Sequence, residues 1–329
     1  MSDMLEAAGR LAAAPLEGQG LDAAQAGELL ELADRDLWAV LYHADRIRRR
    51  HRRDTVRLCG IVAAKVGRCA EDCKWCSQSA RWPTGVTPRP LLADEELLAA
   101  ARAAADRGVE SFGLVTSGGG PTAEELDRLC GVIGQLRAEG RIAPCASLGA
   151  LSPQAARKLA QAGCRRYNHN LETSRSFYPR VVTTHSYDSR LSTARAVKAA
   201  GMELCCGGLF GLGESWQDRI DLALELRGLD ADTVPLNFLN PIPGTPLADA
   251  PRLAPLECLT IIALFRFMLP RQSIKVAGGR EVNLRDLQSW IFHAGADGCI
   301  LGNYLTTPGR PPEQDLKLLE DLELHPLPP

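Results

Sequence analysis

The amino-acid sequence predicts an α/β protein, a (β/α)8 barrel of the TIM type with an N-terminal helical extension. From Thr55 onward, short apolar segments alternate with helical patterns, which is typical of βα units around a parallel sheet. Eight such pairs fit within residues 55–322, the predicted barrel. The chain has 329 residues, 45% of them hydrophobic and 24% charged, so it is long and apolar enough to bury the core of such a barrel.

The predicted elements follow one another in regular order along the chain. Residues 1–54 form the helical extension, whose longer amphipathic run begins at Ala23 and ends at about Arg53, and residues 323–329 form a tail that is expected to fray. The predicted strands are Val56–Ala64, Ser111–Thr116, Ala143–Ser147, Arg166–Asn170, Glu203–Leu209, Thr233–Leu239, Ser273–Val276 and Gly298–Leu301. The predicted helices are Asp94–Arg107, Ala123–Ala138, Pro153–Ala162, Asp188–Ala200, Trp216–Arg227, Pro255–Met268, Asn283–Ala294 and Pro312–Leu322. Active sites of such barrels lie on the loops that follow the strands, so functional residues are expected there.

Charge and hydropathy argue against several classes of function. Lys and Arg number 38 and Asp and Glu number 40, a net charge of −2 that disfavours nucleic-acid binding by phosphate neutralisation. The longest apolar stretches, such as 261–265, are far shorter than the roughly 18 residues of a membrane span. The first residues lack the pattern of a signal or transit peptide, which predicts a cytoplasmic protein without a membrane partner.

Three cysteines cluster in the loop after the first predicted strand. The chain has 11 cysteines, an odd number in a sequence too long to need disulfides, which directs attention to metals or thiol chemistry. Cys69, Cys73 and Cys76 are spaced by four and then three residues. Three thiols are one ligand short of a structural zinc site, whereas a 4Fe-4S cluster with three protein ligands keeps one iron open to an outside ligand.

The longer run Cys-Ala-Glu-Asp-Cys-Lys-Trp-Cys-Ser-Gln-Ser resembles the biotin synthase family of the radical S-adenosylmethionine (SAM) superfamily. The resemblance extends from about Val56 to Leu322, and Glu172 stands where the family more often has Asp. Further segments are similar to family motifs in the same order: 167–174, 207–214, 234–237, 244–247, 277–281 and 305–308.

The resemblance implies an enzyme that inserts sulfur into dethiobiotin to form biotin. In this family a 4Fe-4S cluster binds SAM and cleaves it reductively, and the resulting 5′-deoxyadenosyl radical removes hydrogen from unactivated carbons of the substrate. A second iron–sulfur cluster is the source of the sulfur. A flavodoxin or ferredoxin as electron donor and a homodimeric assembly are also implied.

Individual site residues follow from the motifs that carry the resemblance. Asn168 and Asn237 are expected to contact the ureido ring of dethiobiotin, and Thr306 and Thr307 its acid tail. Asn170 shares a strand face with Asn168 and is expected, with Glu172, to act in catalysis. The residues expected to bind SAM are Ser117, Gly118, Gly119, Asn170, Glu172 and Arg190. A plain turn at 117–120 and a solvated charge at Arg190 are the alternatives.

The second cluster is where this sequence departs from the family. Well-known members hold a 2Fe-2S cluster with three cysteines and an arginine. Cys145 and Cys205 match two of those cysteines, but the third falls at Gly113 and the arginine at Lys275. This ligand set cannot be transferred unchanged.

The sequence offers a replacement for the missing ligands. Cys59, Cys145, Cys205 and Lys275 lie on the first, third, fifth and seventh predicted strands, and side chains of alternate strands share one layer of a TIM barrel. We therefore expect them to hold an auxiliary iron–sulfur cluster of uncertain type. Cys206 is expected to point to the opposite face of its strand, unless a bulge intervenes.

Two other readings compete with this one. The first is a related radical SAM enzyme acting on another small substrate, of the methylornithine synthase or hydrogenase-maturase type. The second is a non-catalytic metal-binding barrel. Iron and sulfide counts on the anaerobic protein separate the radical readings from the non-catalytic one.

Overall fold

Parallel strands close into a barrel in this computed structural model, which describes residues 2–328. β1 pairs with both β2 and β9, and this second pairing closes the sheet. The predicted fold class is confirmed. The strands are β1 (Thr55–Lys65), β2 (Ser111–Thr116), β3 (Ala143–Ser147), β4 (Arg166–Asn168), β5 (Glu203–Cys205), β6 (Gly208–Phe210), β7 (Thr233–Phe238), β8 (Ser273–Val276), β9 (Gly298–Ile300) and β10 (His325–Pro326).

The predicted fifth strand is interrupted in its middle. β5 and β6 are its two parts, and both pair with β7. The interruption faces Pro235, which has no backbone N–H to donate to a ladder. Gly207 lies so close to this proline that an added Cβ would be 2.0 Å from the carbonyl oxygen of Pro235. Position 207 therefore has no room for a side chain, and the ladder to β7 is interrupted there.

Helices surround the barrel, and several begin at a capping hydroxyl group. Thr122, Ser152, Ser186 and Ser215 each accept a hydrogen bond from a backbone N–H of the first helical turn. The helices are α1 (Ser2–Leu16), α2 (Ala23–Arg52), α3 (Asp94–Ala105), α4 (Ala123–Glu139), α5 (Pro153–Gln161), α6 (Tyr187–Ala199), α7 (Trp216–Gly228), α8 (Pro255–Met268), α9 (Arg280–Leu284), α10 (Trp290–His293) and α11 (Pro312–Asp321).

The prediction of one continuous helix over Asn283–Ala294 is wrong. α9 ends at Leu284, a 3₁₀ helix covers Arg285–Ser289, and α10 follows. Arg285 has a φ of 51°, and a residue in the left-handed region ends the regular series of helical hydrogen bonds.

The ends of the chain pack against the barrel. α2 bends at Asp36, whose φ of −153° is not helical and whose carboxylate accepts a hydrogen bond from the N–H of Ala39. At the other end β10 pairs in parallel with the start of β1, so the expected fraying is wrong for His325–Pro326. The outermost residues of the predicted extension and tail, Met1 and Pro329, lie outside the described residues. Over the described part of the chain, no helix is both long and apolar enough for a membrane crossing.

Candidate active site

A cavity of about 390 Å³ occupies the barrel lumen and opens at the carboxyl ends of the strands. It brings together residues from almost every part of the predicted site. Those that line it are Cys59, Cys76, Cys145, Asn168, Asn170, Glu172, Cys205, Asn237, Lys275, Thr306 and Thr307. Cys69, Cys73, Ser117, Gly118, Gly119 and Arg190 lie outside its immediate lining, in the loops and helix around the mouth.

The loop that carries Cys69, Cys73 and Cys76 is tied to the segment before α6. Asp72 accepts hydrogen bonds from the backbone N–H groups of Thr183 (2.9 Å) and Thr184 (3.2 Å). Burial opposes ionisation of Asp72, but these hydrogen bonds outweigh it and hold the pKa of the carboxyl far below its usual range. The cysteine loop is therefore anchored by a group that stays charged.

The three thiols of this loop lie near one another. Burial raises the pKa of Cys73 to about 12, against the opposing influence of Arg190, and the thiols of Cys69 and Cys76 lie near enough to raise it further. Within residues 2–328, no three His, Cys, Asp or Glu side chains converge closely enough for a mononuclear metal ion. A cluster places irons and sulfides between its ligands, so it requires thiols that are near one another but not in contact.

The turn after β2 lies directly against the cysteine loop. Ser117 Oγ donates a hydrogen bond of 2.7 Å to the carbonyl oxygen of Gly67. Gly118 has a φ of 119°, and an added Cβ on Gly119 would be 2.7 Å from Glu71 Oε1. The turn is therefore packed against the cysteine loop at Ser117 and is exposed at Gly119.

Asn170, Glu172 and Arg190 form one wall of the mouth. Arg190 Nη1 donates to the carbonyl oxygen of Asn170 at 2.7 Å and lies 3.9 Å from Glu172 Oε1. Burial raises the pKa of Glu172, although Arg190 and Asn170 oppose the shift. Glu172 also has a φ of 72°, in the left-handed region that is unfavourable for a residue other than glycine.

The residues predicted to bind substrate differ in how many hydrogen bonds they make within the protein. Asn237 Nδ2 donates to the carbonyl oxygen of Gly208 at 3.1 Å, and its Oδ1 accepts from the N–H of Gly278 at 2.9 Å. Asn237 therefore also holds β7 to β6 and to the segment after β8. Asn168 lines the cavity on β4, and Thr306 shares a hydrogen bond of 2.9 Å with Ser77.

Deeper in the lumen, Cys59, Cys145, Cys205 and Lys275 meet as one layer, which we call the floor. Lys275 Nζ donates to Cys205 Sγ at 3.8 Å. Burial raises the pKa of the Cys145 and Cys205 thiols, while the nearby cations Lys275 and Arg166 oppose the shift. Cys206 is fully buried in the apolar core behind the strand, as the alternation of side chains predicts.

Sequence reasoning missed a second cation at the floor. Arg166, at the start of β4, lines the same cavity as the floor thiols and is almost completely buried. The signal was present in the sequence, because Arg166 is two residues before Asn168 and the two side chains share one face of β4, whereas Asn170 lies beyond the end of that strand. The family motif at residues 167–174, which contains both asparagines, begins one residue after Arg166.

Two family models match the chain in succession. The Radical SAM superfamily model covers residues 65–226, and the Biotin and Thiamin Synthesis associated domain covers residues 235–325. The first contains the cysteine loop and the Asn170 wall. The second contains Asn237, Lys275 and both threonines of the mouth.

Curated relatives match over nearly their whole length. Biotin synthase of Geobacter sulfurreducens is 51% identical over 310 residues, which are 94% of this chain and 94% of the relative. Biotin synthase of Trichlorobacter lovleyi is 50% identical, over 95% of each chain. Among solved structures, methylornithine synthase has a TM-score of 0.84 at 21% identity, covering 96% of this chain and 97% of its own. At that identity the structural match shows a shared fold alone.

Proposed function

The chain belongs to the biotin synthase family of radical SAM enzymes, and from this premise we propose that it inserts sulfur into dethiobiotin to form biotin, as a sulfurtransferase. One observation of the structure supports the proposal above all others. A single cavity connects Cys76 of the cysteine loop, Asn168 on β4 and the floor thiols. A radical generated at the mouth and a sulfur held at the floor would thus reach one substrate between them.

Cys69, Cys73 and Cys76 would hold the 4Fe-4S cluster, which, with SAM bound, supplies the radical that abstracts hydrogen from the substrate. The turn at Ser117–Gly119 and the wall of Asn170, Glu172 and Arg190 would position SAM. Their task is geometric, because a reactive radical must be held against one C–H bond and kept from water and other hydrogen donors.

The substrate would lie between these walls. Asn168 presents an amide toward the cavity, where it can satisfy donors and acceptors of the ureido ring. Asn237 would contact the ring with the hydrogen-bonding capacity that Gly208 and Gly278 leave free. Thr306 and Thr307, in the loop after β9, would bind the carboxylate tail near the mouth.

We assign the auxiliary cluster to the floor, with Cys59, Cys145 and Cys205 as ligands and Lys275 beside them. The chemistry of this donor set supports the assignment: thiols are the usual ligands of iron–sulfur clusters, and these three are buried around one cavity. Gly113 contributes no side chain, so the familiar arrangement of ligands is not available. Cys59 would take the place of the missing cysteine.

The remaining parts of the proposal concern the surroundings of the enzyme. All 11 cysteines are free, which suits the reducing cytoplasm. A flavodoxin or ferredoxin would deliver electrons at the mouth, where the cysteine loop lies. Trp38 and Tyr42 on α2 are more than half exposed and are candidates for the contact surface of a homodimer.

The decisive experiment is anaerobic reconstitution followed by incubation with SAM, a reductant and dethiobiotin. We expect biotin and 5′-deoxyadenosine to appear together. If 5′-deoxyadenosine forms but biotin does not, although the floor cluster is loaded, the substrate is another small molecule. If neither product forms and no iron is bound, the radical mechanism itself is wrong.

A further inference from the structure

Arg166 is the one cationic side chain beside Lys275 in the lining of the cavity, among the residues that the structure describes. It sits directly opposite Cys145 in the pairing of β3 with β4, and one strand over from Cys205 on β5. An arginine guanidinium is not deprotonated in proteins, so Arg166 stays charged even though it is buried. A permanent positive charge thus lies beside two of the three floor thiols.

The hydrogen bonds of Arg166 leave one side of its guanidinium weakly engaged. Its Nε and Nη2 lie 2.8 and 2.6 Å from Glu203 Oε2. The third nitrogen, Nη1, makes one long hydrogen bond of 3.4 Å to Ser111 Oγ. A guanidinium has five N–H donors, and those on Nη1 are free to donate to a closer acceptor.

The charges around the floor indicate which acceptor the N–H groups of Nη1 would bind. A cluster held by three thiolates is anionic, and a buried anion is costly unless cations or hydrogen-bond donors face it. Lys275 supplies one positive charge at Cys205. We infer that Arg166 supplies the second, donating hydrogen bonds from Nη1 to sulfur atoms of the floor cluster and thereby setting its reduction potential. The inference rests on the proposed auxiliary cluster at the floor.

Arg165 provides a matched control, because it lies near the same acidic side chains as Arg166 but outside the lining of the cavity. Arg165 Nε lies 3.1 Å from Glu203 Oε1 and Arg165 Nη1 lies 3.7 Å from Glu110 Oε1. Its side chain is 38% exposed and does not line the cavity. Removing Arg165 therefore weakens the same ion-pair network without removing a charge from the cavity.

The test compares the full chain, reconstituted anaerobically, with its Arg166→Gln, Arg166→Lys, Arg165→Gln and Glu203→Gln variants. Iron and sulfide per chain are counted. The signal of the floor cluster is the one that a Cys59→Ala/Cys145→Ala double variant lacks, and this signal is followed in a redox titration. Loss of a nearby cation makes reduction harder. We expect Arg166→Gln to lower the reduced-to-oxidised ratio at fixed potential at least tenfold, about 59 mV for one electron. Arg166→Lys should restore most of the loss, and Arg165→Gln should change little.

Glu203→Gln separates a charge effect from a structural one. If Arg166 acts through its charge, removing its counter-ion shifts the potential upward, opposite to Arg166→Gln. If Arg166 only stabilises the barrel, both variants break the same ion pair and shift the reduction potential in the same direction, and this result overturns the inference. An unchanged potential in Arg166→Gln also overturns it. Should Arg166→Gln not fold, Arg166→Met is titrated in its place, and an unchanged potential in that variant overturns the inference. Absence of a second cluster from the unmodified chain would instead overturn the floor assignment itself.

Discussion

The mouth and the floor of the barrel place cysteines in the same lumen in two different ways. At the mouth, three thiols lie within eight residues of one loop, and the anchoring of that loop by Asp72 orients them together. At the floor, the thiols come from β1, β3 and β5, which are separated by long stretches of sequence. The mouth is therefore set by local spacing, and the floor by the register of the barrel.

This difference determines what each region tolerates. A loop can be changed without disturbing the core, so substitutions at the mouth should affect chemistry and leave the fold intact. The floor side chains are buried and face one another, so each change there alters a shared site. At the floor, Gly113 and Lys275 stand where the resemblance implies a cysteine and an arginine, and in our proposal Cys59 on the neighbouring strand β1 supplies the missing thiol.

The largest effect is expected at the mouth. Replacing Cys69, Cys73 and Cys76 together by Ala should abolish SAM cleavage, because no cluster remains to supply an electron. Circular dichroism and the midpoint of thermal unfolding should stay close to those of the parent chain, since these are loop residues. The measurement is 5′-deoxyadenosine formed under reducing conditions, and undiminished formation would show that the radical source lies elsewhere.

Single substitutions at the floor should separate the two halves of the reaction. In Cys59→Ala, Cys145→Ala or Cys205→Ala, SAM cleavage should continue while biotin is no longer made, because in the proposed mechanism the radical and the sulfur come from different clusters. Both products are assayed together with iron and sulfide per chain. Cys206→Ala and Cys130→Ala are the controls, since Cys206 lies behind the strand and Cys130 on α4. Biotin formation by a Cys59→Ala/Cys145→Ala double variant that still holds two clusters would exclude the floor as sulfur source.

The contrast between local spacing and barrel register also explains which features could be predicted from the sequence. Alternating strand and helix patterns predicted the barrel, and local spacing predicted the cysteine loop. The break between β5 and β6 was missed, because it depends on the contact of Gly207 with Pro235 on another strand. Arg166 shares the face of Asn168, but its position beside Cys145 and Cys205 depends on the pairing of β4 with β3 and β5. Contacts between distant segments are set by packing, which periodicity alone does not give.

The walls between mouth and floor should show a smaller, graded effect. Asn168→Ala should weaken dethiobiotin binding by about 1–3 kcal/mol, the cost of leaving buried polar groups unpaired, which is roughly 5- to 150-fold in Kd. Asn237→Ala should weaken binding and also lower the unfolding midpoint, because it removes the hydrogen bonds to Gly208 and Gly278. Calorimetry and thermal unfolding of both variants test this. Unchanged affinity in both would place the ureido ring elsewhere.

The smallest effect is expected from Lys275, which tests whether the floor needs an amine as ligand or only its charge. Burial lowers the pKa of Lys275, but Cys205 and Cys59 outweigh burial and raise it to about 12, so the amine keeps its proton. An ammonium has no lone pair for iron, and its contact with Cys205 is a hydrogen bond. Lys275→Met should therefore leave the iron count per chain unchanged, while the floor cluster is lost more rapidly to a chelator because less positive charge offsets its thiolates. Mössbauer spectra of the two proteins should have the same components. A changed iron count or a new iron site in Lys275→Met would instead make the amine a ligand, and the floor would then depend on coordination by four side chains.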